Sequence, residues 1–234
     1  MATRSRGLSL IFDADDTLWD SNIHFLEAEA AFVAALEEAG VETDGARVRA
    51  EIRRCELDII RSHGYGRKQY LMALHRVARD LAPMHLHDRV LPIVEHIGER
   101  LTNRHCELLP GVEPTLAELA TRHRLLLFTK GQHDEQMGKL HRSGLGRLFS
   151  VVEVTAEKDV AAYRTLIVKA RLDPIASFMI GNSPRSDINP AVAAGLRAVF
   201  IPHPHTWELE HEEIDHTDER IVSISSFPRL LEVF

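Results

Sequence analysis

Leu8-Ser9-Leu10-Ile11-Phe12-Asp13-Ala14-Asp15-Asp16-Thr17-Leu18 is the stretch whose reading decides the fold. A short apolar run stops at a cluster of acids. Too short for a helix, it reads as a buried strand whose C-terminal end presents Asp13, Asp15 and Asp16. Strand alternation would send Asp13 and Asp15 to opposite faces, but leaving the strand at Asp13 can turn both toward one site.

The next stretch of the chain has helical periodicity. Ile23, Leu26, Ala30 and Val33 form a first stripe, with Gly40 as its stop. Val48, Ile52, Cys55 and Ile59 form a second, closed by Gly64, and Tyr70, Leu74, Val77 and Leu81 a third before Pro83. A fourth carries Val90, Val94, Ile97 and Leu101, with Pro92 expected in or near its first turn. This stretch is expected to pack as an all-helical bundle.

Beyond Leu109-Pro110-Gly111 the pattern changes. Strands are expected at 124–128, 151–154, 177–180, 198–201 and 221–224, and helices at 113–121, 160–170 and 189–194. Apolar strands alternating with helices imply a parallel sheet covered on both faces, with ligands outside the carboxyl ends of its strands. At those ends stand Asp13 and Asp15, then Thr129, then Asn182 and Asp187. The expected fold is therefore α/β: a Rossmann-like core of residues 1–19 and 109–234, interrupted by a helical domain of residues 20–108 placed to cover that edge.

Composition narrows the function classes. Thirty-five acidic against 28 basic side chains give a net charge of −7, which argues against non-specific nucleic-acid binding. Two isolated cysteines, Cys55 and Cys106, are too few for a disulfide framework and fit a reducing cytoplasm. Arg4 and Arg6 precede only the run to Phe12, so no secretory signal is read, and no apolar stretch approaches membrane-spanning length.

The strand-end residues have a coherent chemistry. One carboxylate can attack phosphorus while the other donates a proton to the leaving group and later activates water. Thr129 can hydrogen-bond a phosphoryl oxygen, Lys158 can neutralise accumulating charge, and Asn182 and Asp187 offer the hard oxygens Mg²⁺ prefers.

These residues resemble the haloacid dehalogenase superfamily, in its phosphatase branch with a helical C1-type cap. Asp13-Ala14-Asp15-Asp16-Thr17-Leu18 matches its first motif, Thr129 its second and Lys158 its third. Gly181-Asn182-Ser183-Pro184-Arg185-Ser186-Asp187 matches its fourth. The resemblance implies Mg²⁺ and an aspartyl-phosphate intermediate. Asp13 would be nucleophile and metal ligand. Asp15 would be general acid/base, its main-chain carbonyl on the metal. Thr129 and Lys158 would hold the phosphoryl group. Two departures stand out: Asn182 replaces the family's usual Asp, and Asp159 follows Lys158 in place of the common proline.

Lys130 and Gly131 are further substrate-binding candidates, as are Tyr65 and Arg67 in the basic, aromatic turn Gly64–Lys68. The pairs His85/His87 and His203/His205 read as solvated loops and Trp207 as a packing residue. The reading is a Mg²⁺-dependent phosphatase of a small soluble metabolite, monomeric or homodimeric, with no nucleic-acid or membrane partner. Alternatives are a haloacid dehalogenase, which needs no second acid, a phosphomutase, or a non-catalytic relative that binds a phosphorylated ligand.

Overall fold

A computed structural model describes residues 7–103 and 106–234. Arg4 and Arg6, and the start of the expected 1–19 segment, lie outside the described residues, as do positions 104 and 105 of the helical stretch. Among the described residues, six strands form one parallel sheet: β1 (Ser9–Phe12), β2 (Arg124–Lys130), β3 (Val151–Thr155), β4 (Ser177–Gly181), β5 (Arg197–Phe200) and β6 (Ile221–Ser223). Their order is β3-β2-β1-β4-β5-β6, and β1 pairs with β2 on one side and β4 on the other. The chain builds outward from β1 to β3, then crosses back to β4. The order therefore reverses between β1 and β4, the position where sheets of this kind bind ligands.

Alternation along the strands fills both faces. Leu10 and Phe12 pack with Leu125, Leu127 and Ile180 against α5 (Val112–Leu119) and α6 (His133–Ser143). Ile11, Leu126, Phe128 and Met179 pack on the other face, against α7 (Val160–Ala170) and α8 (Asn189–Ala193). A short α9 (Leu230–Val233) ends the chain on the first face. Asp159, in place of the proline that the resemblance leads one to expect, caps α7 by accepting from the Ala162 N–H at 2.8 Å.

Four helices lie between β1 and β2: α1 (Asn22–Glu38), α2 (Gly45–His63), α3 (Arg67–Leu81) and α4 (His87–Asn103). The chain divides into two compact units, Met1–Asn22 with Cys106–Phe234, and Ile23–His105. Within the first unit, two backbone bonds join the segments that flank the insertion: Asp20 N–H donates to Glu107 O and Leu109 N–H to Leu18 O.

The helical unit has its own core. The α2 and α4 stripes are buried as expected, through Val48, Ile52, Cys55, Ile59, Val90, Val94 and Ile97. In α1 the expected stripe is wrong except at Val33. The buried positions are Ala28, Phe32, Val33 and Leu36, while Leu26 is 44% exposed. A helix so apolar along its length allows several stripes, and the large Phe32 and Leu36 choose the one that buries most surface. Pro92 sits inside α4, in its second turn, because a 3₁₀ turn over Met84–Leu86 runs directly into the helix. No described helix is long and apolar enough to cross a membrane.

Candidate active site

Asp13 leaves β1 with its N–H still bonded to Ile180 O at 2.9 Å, which fixes it at the edge where the strand order reverses. The chain then coils tightly. Thr17 and Leu18 N–H both donate to Ala14 O, and Asp16 takes a left-handed φ of 60°. The Asp16 carboxylate accepts from the N–H groups of Ser21 and Asn22, at the start of α1. Burial pushes its pKa up to about 7, with the neighbouring charge of Asp15 adding to the effect.

The centre of the site is a buried cation. The Lys158 ammonium, with 1% of its side chain exposed, donates to Asp13 Oδ1 and, at 2.7 Å, to Asp187 Oδ1. Burial alone would lower the Lys158 pKa, but Asp13 and Asp187 together drive it upward. Asp187 is pushed up to about 7 by burial and by the Asp13 charge, with Lys158 opposing both. Its Oδ2 accepts from Ser183 N–H at 3.0 Å, and Tyr163 OH holds the same loop through Ser186 O. Gly181 makes this approach possible: a Cβ there would lie 2.2 Å from Asp187 Oδ2.

The Thr17 hydroxyl lies 3.0 Å from both Asp13 Oδ2 and Asn182 Oδ1. One hydroxyl proton serves one acceptor at a time. The orientation of the Asn182 amide is set from behind. Its Nδ2 donates to Thr206 Oγ1, whose own proton goes to His203 O. Two oxygens thus share one donor beside the Asp15 segment, a hard-oxygen set that fits a divalent cation. Asn182 offers its oxygen on this side, and each Asp187 oxygen accepts one hydrogen bond, from Lys158 and from Ser183.

Asp15 is held apart from this cluster. Its Oδ1 accepts from Trp19 Nε1 at 2.7 Å and Lys139 Nζ at 2.9 Å. Its Oδ2 accepts from Gln136 Nε2 at 2.9 Å and Lys139 Nζ at 2.8 Å. Burial favours the neutral acid, but Lys139, Gln136 and Trp19 together hold the carboxyl below its usual range.

Thr129 is buried near the end of β2, which extends to Lys130 and so runs past the expected end at Phe128. Gly131 follows with φ +139°. The Lys130 ammonium pairs with Glu210 Oε1 at 2.6 Å and Ser186 Oγ at 3.1 Å, with Glu157 at 3.4 Å. Lys130 and burial oppose each other at Glu210, and Lys130 prevails, so that carboxyl sits below its ordinary value. Tyr65 and Arg67 belong to the helical unit, in and just after the α2–α3 turn.

The histidine pairs are not simply solvated. His87 Nε2 bonds Ala82 O at 2.9 Å, and the His203 ring, 10% exposed, lies 3.5 Å from Asp20 and 3.9 Å from Asp16. Asp16, Asp20 and His203 place ligand-type atoms within 4.8 Å of one another, but the Asp16 oxygens are already taken by backbone donors. Sequence reasoning missed Lys139, Gln136 and Trp19. The available signal was position: α6 comes after the Thr129 strand end, and Gln136 and Lys139, three apart, share its face.

With this geometry in view, comparison with known proteins is informative. Residues 9–195 match the family model of the haloacid dehalogenase-like hydrolases. The chain belongs to that family. A haloacid dehalogenase-like family hydrolase from Xanthomonas campestris matches with a TM-score of 0.84 and 28% identity, over 97% of this chain and 96% of that one. Glyceraldehyde 3-phosphate phosphatase of Methanopyrus kandleri is 27% identical over 88% of this chain and 89% of its own length. Phosphoserine phosphatase of Thermus thermophilus is 34% identical, over 42% of each chain. Membership makes the chain a hydrolase, and Asp13, Asn182 and Asp187 stand at or just beyond the carboxyl ends of β1 and β4.

Proposed function

We propose that this hydrolase is a phosphomonoesterase acting on a small phosphorylated metabolite. The observation that carries the reading is the Lys158 ammonium bonded to both Asp13 and Asp187, with Thr17 and Asn182 alongside. It is a site built to gather negative charge around one carboxylate. Both curated relatives are named for small phosphomonoesters, which supports the same substrate class.

In the proposed reaction an Asp13 carboxylate oxygen attacks phosphorus, and the bond to the leaving oxygen breaks. Asp15 in its acid form, with one of its donors displaced, gives a proton to that oxygen. Water then attacks the phosphorus of the aspartyl phosphate and passes its proton to Asp15. The bond to Asp13 breaks and inorganic phosphate leaves. Lys158 and Thr129 hold the phosphoryl oxygens, with Lys158 balancing the charge that builds as anion meets anion. Lys130, Gly131, Tyr65 and Arg67 are assigned to substrate binding.

Asp13, the main-chain carbonyl of Asp15, Asn182 and Asp187 would hold Mg²⁺, which when bound neutralises phosphoryl charge and orients the group for in-line attack. The helical unit is assigned as a C1-type cap. A cytoplasmic location suits Cys55 and Cys106, both free thiols.

The test is phosphate release from 4-nitrophenyl phosphate and a panel of phosphorylated sugars, amino acids and cofactors, with and without Mg²⁺. Turnover in the wild type and its loss in Asp13→Asn are expected. An inert wild type, or an Asp13→Asn variant of undiminished activity, would overturn the reading.

A further inference from the structure

We propose that Lys139, together with Gln136, is a positioning residue for Asp15: the two α6 side chains fix the carboxylate from which the leaving-group proton is delivered. The proposal deepens the phosphatase reading above and rests on it for its catalytic part.

An ionised carboxylate offers about four acceptor sites, two on each oxygen. In Asp15 all are taken: Trp19 and Lys139 on Oδ1, Gln136 and Lys139 on Oδ2. Lys139 alone bridges both oxygens, so it fixes the rotation of the group as well as its place. A carboxylate with no acceptor site left can take a proton from water or carry one to a leaving oxygen only after giving up a donor.

The three donors differ in how firmly they are held. Trp19 is 1% exposed and packed in the core beneath the sheet edge. Gln136 is anchored twice, its Nε2 donating to Asp15 and, at 2.8 Å, to Lys130 O. Turning the amide over would bring its oxygen against two acceptors, so this orientation is enforced. It leaves Gln136 Oε1 buried without a partner, a state that ordinarily destabilises. That penalty is accepted where the amide's donor is needed on Asp15. Lys139 reaches Asp15 on a long flexible stem, and its partner in the structure is that carboxylate. It is the donor suited to yield when Asp15 acts and to return afterward.

A positioning role separates from a packing role by leaving group. An alkoxide needs the Asp15 proton to depart, whereas 4-nitrophenolate departs with little help. In Lys139→Met, kcat/KM on an alkyl phosphate such as glycerol 1-phosphate, which reports the steps through departure of the alkoxide, is expected to fall about 10²-fold, because a misplaced catalytic group forfeits that much. On 4-nitrophenyl phosphate the loss in kcat/KM should stay within about threefold, since the later hydrolysis of the aspartyl phosphate, in which Asp15 serves both substrates alike, does not enter that ratio. Lys139→Arg should restore most of the difference.

A second measurement does not depend on turnover. The Trp19 indole N–H resonance, read by ¹⁵N NMR, should move in Lys139→Met but not when the same change is made in an Asp15→Asn background. Equal losses of kcat/KM on the two substrates, or an indole resonance that ignores Lys139 or responds to it regardless of Asp15, would overturn the proposal. If the wild type turns over no phosphoester, the phosphatase reading fails, while the NMR cycle still decides whether Lys139 governs Asp15.

Discussion

Replacing Lys158 by methionine would expose how the site balances its charges. The ammonium is 1% exposed, as is the Asp187 side chain, and Asp13 is 11% exposed. Methionine fills the space of the stem but leaves two buried carboxylates facing each other. Removing one member of such a set destabilises by about 3–5 kcal/mol, because the remaining charges stay desolvated and unpaired. For a chain of this size that corresponds to a fall in Tm of about 6–20 °C. Both tryptophans, Trp19 and Trp207, lie in the core unit, so urea unfolding tracked by their fluorescence in metal-free buffer reports that unit. Asp187→Asn in the Lys158→Met background should recover about half of the loss by removing one of the two charges. The deficit should also shrink as pH falls toward 7, since without Lys158 to oppose burial and the Asp13 charge the Asp187 carboxyl is pushed further up and takes up a proton before the wild type does. A Lys158→Met variant within about 1 kcal/mol of wild type, or no recovery in the double variant, would refute the reasoning.

Two single features carry further expectations. Gly181→Ala forces a methyl into the Asp187 carboxylate and should destabilise by about 1–3 kcal/mol while reducing phosphate release sharply, as urea titration and a phosphate assay will show. Glu56, on α2 of the helical unit, is raised from 4.5 to about 7 by burial and by the charge of Glu29. A raised carboxyl contributes stability that is complete below pH 4.5 and lost as pH climbs through 7. Glu56→Gln should therefore be more stable than wild type above pH 7, by at most about 3 kcal/mol, and equal to it near pH 4. Circular dichroism of unfolding at the two pH values checks this, and a constant difference across the range would contradict it.

The sheet was legible in the sequence because its strands are apolar runs with abrupt polar ends. Asp13, Thr129, Asn182 and Asp187 are such ends, and strand order alone gathers them. Lys158 was legible through the resemblance, and the structure adds what it touches. The hidden part consists of side chains whose significance lies in a partner far along the chain. Nothing local to Lys139 announces Asp15, 124 positions away, and nothing local to Asn182 announces Thr206 or Thr17. The α1 stripe failed for a different reason: with apolar residues on most of its faces, periodicity has no single answer, and only the neighbours' volumes choose. His203 looked solvated because its loop is polar, yet Asp16 and Asp20 close around it.

The insertion of four helices between β1 and β2 has a consequence for the nascent chain. Ser9 pairs with Arg124 on one side and Ser177 on the other, so β1 emerges from the ribosome long before either neighbour. The helical unit, contiguous in sequence, can collapse during that interval. Leu10, Ile11 and Phe12 meanwhile wait as a bare strand with two open edges, the kind of segment that seeks partners in other chains. The residue that opens the acidic cluster thus adjoins the segment most in need of protection while the protein is being made.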